Sequence, residues 1–124
     1  MNILISSSSP VKLYEQIENS IKNEILKGNL KAGEMLPSIR MLAKELKVSI
    51  ITTKRAYEEL EKEGFIETVV GKGTFVSSSN SERLREAAMS ELDSRLEEVI
   101  ISAKSLGLSL DECIEILKDL YMEV

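Results

Sequence analysis

Ser49, Ile50, Ile51, Thr52, Lys54 and Arg55 stand together in one short stretch, and Gly71-Lys72-Gly73 follows soon after. Hydroxyls bond phosphates or base edges. Cations neutralise phosphate or reach guanine, and an aliphatic tip packs on a thymine methyl. These are the groups a helix needs to bind a DNA duplex. Arg40, upstream, is placed to contact the nucleic-acid backbone or to reach inward. Gly71 and Gly73 allow a hairpin tip to approach a partner closely, and Lys72 between them can touch phosphate or enter the minor groove. Each signal is weak alone. Lys54 and Arg55 beside Glu58, Glu59 and Glu61 also describe an ordinary solvated helix face, and Ser49 serves equally well as a helix cap.

Other chemistry is poorly supplied. The chain has no histidine and a single cysteine, Cys113. The commonest general base, the commonest transition-metal ligand and every Ser/His or Cys/His pairing are therefore excluded. A zinc site would need carboxylates alone. No catalytic residue, metal or cofactor is expected. One cysteine also precludes an intrachain disulfide framework and suits a reducing cytoplasm. The start, MNILISSSS, lacks a basic segment and a long apolar run, so no signal peptide is expected. No apolar stretch approaches the roughly 20 residues that span a bilayer.

The net charge of −5 is unevenly placed. Residues 1–78 hold 11 Lys/Arg against 10 Asp/Glu, a net +1, whereas residues 79–124 hold 5 against 11, a net −6. Binding to a polyanion depends on local potential, so the acidic excess of the C-terminal part leaves room for a basic face upstream.

Periodicity supplies the elements that position these groups. Ile3-Leu4-Ile5 is a short strand or an apolar arm. Leu13, Ile17, Ile21 and Ile25 recur every fourth residue, predicting a helix over Val11–Lys27 with Ser9-Pro10 at its start and Gly28 at its end. Asn29–Pro37 connects. Ser38 caps a second helix with Ile39, Leu42, Ala43 and Leu46 inward. Lys47-Val48 is a tight turn, and Ser49 caps a third helix from about Ile50 to Glu63 with Thr53, Ala56, Tyr57 and Leu60 inward. Phe65–Val70, the glycine turn and Thr74–Val76 read as a β-hairpin. Ser77–Ser81 reads as a polar hinge. Leu84, Ala88, Leu92, Leu96, Val99, Ala103 and Leu106 then trace one face of a long helix. Ser109 and Glu112 form a capping box for a last helix carrying Leu110, Cys113, Ile114, Leu117 and Tyr121.

The order of these parts is more specific than any one of them. Leu36-Pro37-Ser38-x-Arg40-x-Leu42-Ala43, the run from Val48 through Ala56-Tyr57 to Gly64-Phe65-Ile66, and Gly71-Lys72-Gly73-Thr74-Phe75-Val76 resemble, in register, the signature segments of the GntR family of bacterial transcription regulators. Leu13-Tyr14-x-Gln16-Ile17 and Ile25-x-x-Gly28-x-Leu30-x-x-Gly33 extend the likeness over about residues 9–77. The resemblance implies DNA contacts at Arg40, Ser49, Thr52, Lys54 and Gly71, with Ile50, Ile51, Arg55 and Lys72 beside them. Ile50 and Ile51 replace the arginine and threonine frequent in the family, which points to a more apolar readout.

The expected fold is mainly α with a small β-hairpin: a winged helix-turn-helix over residues 1–77, then a two-helix dimerisation segment over 78–124. Two amphipathic helices cannot bury both their apolar faces unaided. Such a short tail is similar to the YtrA-like subfamily, where paired helices dimerise the protein. Leu92, Leu96, Val99, Ile100, Ala103, Ile114, Leu117 and Tyr121 are the candidate contacts, and Cys113 is expected as a buried thiol on the same stripe. The expected function is a cytoplasmic, sequence-specific transcriptional regulator, a repressor, binding a palindromic duplex operator as a homodimer. A small-molecule effector is unspecified; its expected place is the cleft between the tail and the winged domain, or the dimer seam. The alternative is a protein–protein adaptor on the same scaffold.

Overall fold

The computed structural model describes Met1 and residues 3–78 and 81–124. The elements run α1 (Leu13–Lys27), α2 (Ile39–Leu46), α3 (Ile50–Lys62), β1 (Ile66–Val69), β2 (Gly73–Val76), α4 (Ser81–Ser105) and α5 (Leu110–Glu123). They form two compact units, Met1–Arg85 and Glu86–Val124.

In the first unit, α3 packs against both α1 and α2 and leads into the hairpin. The core is mostly aliphatic, with Tyr57 and Phe65 as its buried aromatics. Ile17, Ile21, Leu42, Leu60 and Val76 are its most enclosed large side chains. Thr53, Ala56, Tyr57 and Leu60 all point inward, as the fourfold spacing demands. The strands pair antiparallel with Ile66 opposite Val76 and Val69 opposite Gly73. The connector before α2 also joins the wing. The N–H of Leu36 donates to the carbonyl of Thr74 at 2.8 Å, and the N–H of Val76 donates to the carbonyl of Glu34 at 2.8 Å. A segment without strand periodicity thereby covers the edge of β2.

Several expectations shift. Helix α1 begins at Leu13, not Val11, because the Ser9 hydroxyl accepts from the Val11 N–H at 3.2 Å and closes a local turn before the helix. Lys12 occupies the cap without a side-chain bond. The arm forms no strand. Ile3 and Ile5 pack on the core while Leu4 between them stands in solvent. Ser77 is no hinge residue, being buried with its N–H donating to the Phe65 carbonyl at 2.9 Å. Ser81 belongs to α4, Ser78 is an exposed bend, and Ser79-Asn80 of that predicted hinge lie outside the described residues.

The first residues of α4, up to Arg85, belong to the first unit. Leu84 packs on the core, and an Arg85 guanidinium N–H donates to the Leu26 carbonyl at 2.7 Å. In the second unit, α5 begins at the expected capping box. The Ser109 hydroxyl accepts from the Glu112 N–H at 3.1 Å, and the Glu112 carboxylate accepts from the Ser109 N–H at 3.0 Å. The Ser109 N–H first, and its hydroxyl second, hold the Glu112 carboxyl below its ordinary value. No residue of α5 is fully buried.

Candidate nucleic-acid interface

The two helices of the helix-turn-helix are set by their caps. The Ser38 hydroxyl accepts from the Met41 N–H at 3.1 Å and starts α2. Lys47 ends it in the left-handed region, at φ 57°, which turns the chain sharply enough for Ser49 to start α3 two residues later. Ser49 makes two bonds with one residue. Its Oγ accepts from the Thr52 N–H at 3.0 Å and donates to Thr52 Oγ1 at 2.8 Å. In that second bond Thr52 Oγ1 is the acceptor, so its own hydroxyl hydrogen is not spent on Ser49. Thr53 is buried, as its inward position required, and donates to the Ser49 carbonyl at 3.2 Å.

The remaining candidates of this turn project away from the core. Ile51 is 81% exposed and Ile50 47%. Lys54 is exposed and only loosely paired with Glu58 at 3.9 Å, a surface pair of little energetic weight. Arg40 and Lys72 are exposed and join no ion pair among the described residues. Gly71 and Lys72 lie in the loop between β1 and β2, closed by the Lys72 N–H donating to the Val69 carbonyl at 3.0 Å. Arg55 is differently disposed. Its guanidinium lies 4.6 Å from the centre of the Tyr14 ring and 3.6 Å from Glu59. It is held against α1, whereas Lys54 has only its loose pairing with Glu58.

Three supports behind this surface carry no sequence signal strong enough to announce them. The Tyr57 hydroxyl donates to the Pro37 carbonyl at 2.7 Å, and burial, with the nearby Glu45 charge, pushes its pKa up. Lys22 on α1 bonds Glu18 at 2.9 Å and Glu63, the C-cap of α3, at 2.6 Å, with its ammonium 5.5 Å from the Phe65 ring centre. Burial draws Lys22 down, but the two carboxylates outweigh it and leave its pKa raised. Gln16 clamps the arm, donating to the Ser6 and Val11 carbonyls and accepting from the Ser6 N–H. Of these, only the fourfold spacing of Glu18 and Lys22 could be read beforehand.

Residues 13–76 match the family described as bacterial regulatory proteins, gntR family. The chain belongs to the GntR family. It is also 38% identical over 122 residues to the HTH-type transcriptional repressor YtrA of Bacillus subtilis (strain 168), covering 98% of this chain and 94% of that one. A transcriptional regulator from Oenococcus oeni superimposes with a TM-score of 0.77 at 30% identity, over 94% of this chain and 97% of its own. The DNA-binding domain of AraR in complex with operator ORX1 matches with a TM-score of 0.55 at 25% identity, over 62% of this chain and 96% of that one. This GntR protein is therefore a transcriptional regulator with a DNA-binding winged helix, and not an enzyme. Among the described residues no helix is long and apolar enough to cross a membrane.

The second unit of this GntR chain carries the candidate dimerisation residues. Leu92, Leu96, Val99, Ile100, Ile114, Leu117 and Tyr121 are all exposed, whereas Ala103 is buried inside the α4–α5 turn. An apolar groove of about 280 Å³ runs along it, lined by Val99, Ala103, Leu106, Cys113, Ile116 and Leu120 among others. Cys113 is half-buried there rather than enclosed.

Proposed function

We propose that this chain is a repressor that binds a palindromic operator as a homodimer, each protomer laying the start of α3 in the major groove of one half-site. The observation that carries the reading is the division of α3. One face is locked into the core through Thr53, Ala56, Tyr57 and Leu60, and the other presents Ile50, Ile51 and Lys54, which take no part in the core, beside Thr52, which is bonded to the Ser49 cap. A helix held from behind and free at its first turn has the disposition of a groove-reading helix. Arg40 and Ser49 contact the flanking backbone, Arg55 lies farther round, and Gly71 and Lys72 at the wing tip reach the adjacent groove or phosphates. Residues 1–77 bind DNA and residues 78–124 join two copies.

Homodimerisation follows from apolar area. Leu92, Leu96, Val99, Ile100, Ile114, Leu117 and Tyr121 expose a surface that a lone hairpin of helices leaves in water. A twofold partner covers it with the same residues and sets two recognition helices about one DNA turn, or a multiple, apart. The repressor YtrA and the operator complex of AraR support the reading by analogy.

The test is a selection of duplexes from a random pool by the full-length chain, then footprinting and sedimentation equilibrium. The expected result is one enriched sequence with twofold symmetry, bound by two chains, and a dimer in free solution that Leu96→Asp dissociates. An unenriched pool, or a monomer on an asymmetric site, overturns it.

A further inference from the structure

The first turn of α3, Ser49-Ile50-Ile51-Thr52, mixes polar and apolar residues, and its presentation is apolar. Ser49 and Thr52 spend most of their hydrogen-bonding capacity on each other, with the bonds of 3.0 and 2.8 Å between them. What stands out into solvent is aliphatic: Ile51, and behind it Ile50. Neither contributes to the core, which takes the opposite face of the helix. Nor does helix propensity account for them, since isoleucine is a middling helix former at an exposed site. Two adjacent exposed β-branched residues at the start of a recognition helix therefore call for an apolar partner.

The surroundings specify that partner. Lys54 stands one turn further along α3, exposed and almost unpaired, and Arg40 is exposed on the preceding helix. A surface that meets these residues is anionic at its rim and apolar at its centre. The major groove offers this combination where it contains thymine, the one base with a C5-methyl group projecting into the groove between two phosphate backbones.

We infer that Ile51, with Ile50 beside it, selects thymine through its C5-methyl, so that each half-site carries thymine opposite the first turn of α3. The inference rests on the major-groove placement proposed above and adds the base that the helix prefers. Specificity here comes from removing apolar surface from water on both partners.

The experiment uses the full-length chain and the duplex it enriches from a random pool. Each thymidine is replaced in turn by deoxyuridine, which removes one methyl and leaves the pairing edge intact. The expected result is a loss of about fourfold in affinity per half-site at one or two positions, the factor associated with burying one methyl-sized group. Ile51→Ala should weaken binding to the thymine duplex and bind the deoxyuridine duplex equally well, erasing the discrimination. Its exposure predicts an unchanged unfolding midpoint, which separates lost recognition from lost fold. If no duplex is enriched, the major-groove placement fails and takes this inference with it. If a duplex is enriched and footprinted, but every deoxyuridine substitution is neutral, the thymine assignment falls alone. The same holds if discrimination survives in both Ile50→Ala and Ile51→Ala.

Discussion

The Tyr57 hydroxyl, in the middle of α3, donates a 2.7 Å hydrogen bond to the carbonyl of Pro37, the residue before the cap of α2. One part-buried bond thus ties the recognition helix to the start of its partner helix. Tyr57→Phe keeps the ring packing and leaves the Pro37 carbonyl without this donor. The expected cost is about 1–2 kcal/mol of folding stability, read from the urea midpoint at unchanged slope.

Lys54 and Arg55 are neighbours with different duties. Lys54→Ala should weaken duplex binding and lower the slope of log affinity against log salt by about one, as for the loss of one phosphate contact. Arg55→Ala gives up the stack on Tyr14, a term of about 0.5–1 kcal/mol at an exposed site. Its expected signature is a lower melting temperature with a smaller change in salt slope. Titrations at several salt concentrations, paired with thermal melts, distinguish the two.

Lys22 is the cation between Glu18 and Glu63. Burial raises the Glu18 carboxyl. The Glu63 carboxyl is also pushed up by burial, but Lys22 outweighs that and leaves it lowered. Lys22→Ala leaves two carboxylates facing each other at the junction of α1 and α3. We expect a loss of about 1–3 kcal/mol at pH 7, shrinking as acid protonates Glu18. Guanidinium unfolding at pH 7 and pH 4.5 measures the difference.

The capping box of α5 predicts an acid-sensitive helix start. The folded Glu112 pKa lies below its ordinary 4.5 because the Ser109 N–H and hydroxyl favour the carboxylate. Its contribution is therefore complete above the unfolded value and is lost as pH falls through the folded one. Amide hydrogen exchange at Ser109 should accelerate over that acid range. In Glu112→Gln, which cannot titrate, the exchange should lose this step once the intrinsic pH dependence of exchange is removed.

Gly73 sits at φ +129°, and a Cβ there would meet the Met35 Cε at 2.7 Å. The methionine tip is flexible and can move aside, so the backbone conformation sets the cost. Gly73→Ala should lose about 1–3 kcal/mol, and Met35→Ala should not restore it. A rescue by the second change, seen in thermal melts of the double variant, would assign the cost to crowding instead.

The helices and wing were legible because their signals are local. Fourfold apolar spacing, the serines at 38, 49 and 109 and the glycine stop at Gly28 each act within a turn or two of chain. The start of α1 was misplaced because Ser9-Pro10 resembles a cap while its hydroxyl closes a separate turn. Ser77 looked like linker in a serine-rich run, yet strand pairing carries it into the interior. The candidate contact residues could be named, but not their states. That Arg55 rests on Tyr14 while Lys54 projects freely depends on how α1 crosses α3, which no short pattern encodes.

The separation of duties along α3 bears on how such a protein changes over time. Ile50, Ile51 and Lys54 hold nothing in place, whereas Thr53, Ala56, Tyr57 and Leu60 hold the helix. Substitutions at the first set leave folding almost untouched, so a lineage can drift towards new target sequences through small steps without passing through unstable intermediates. The same frame can be inherited intact while its address is rewritten.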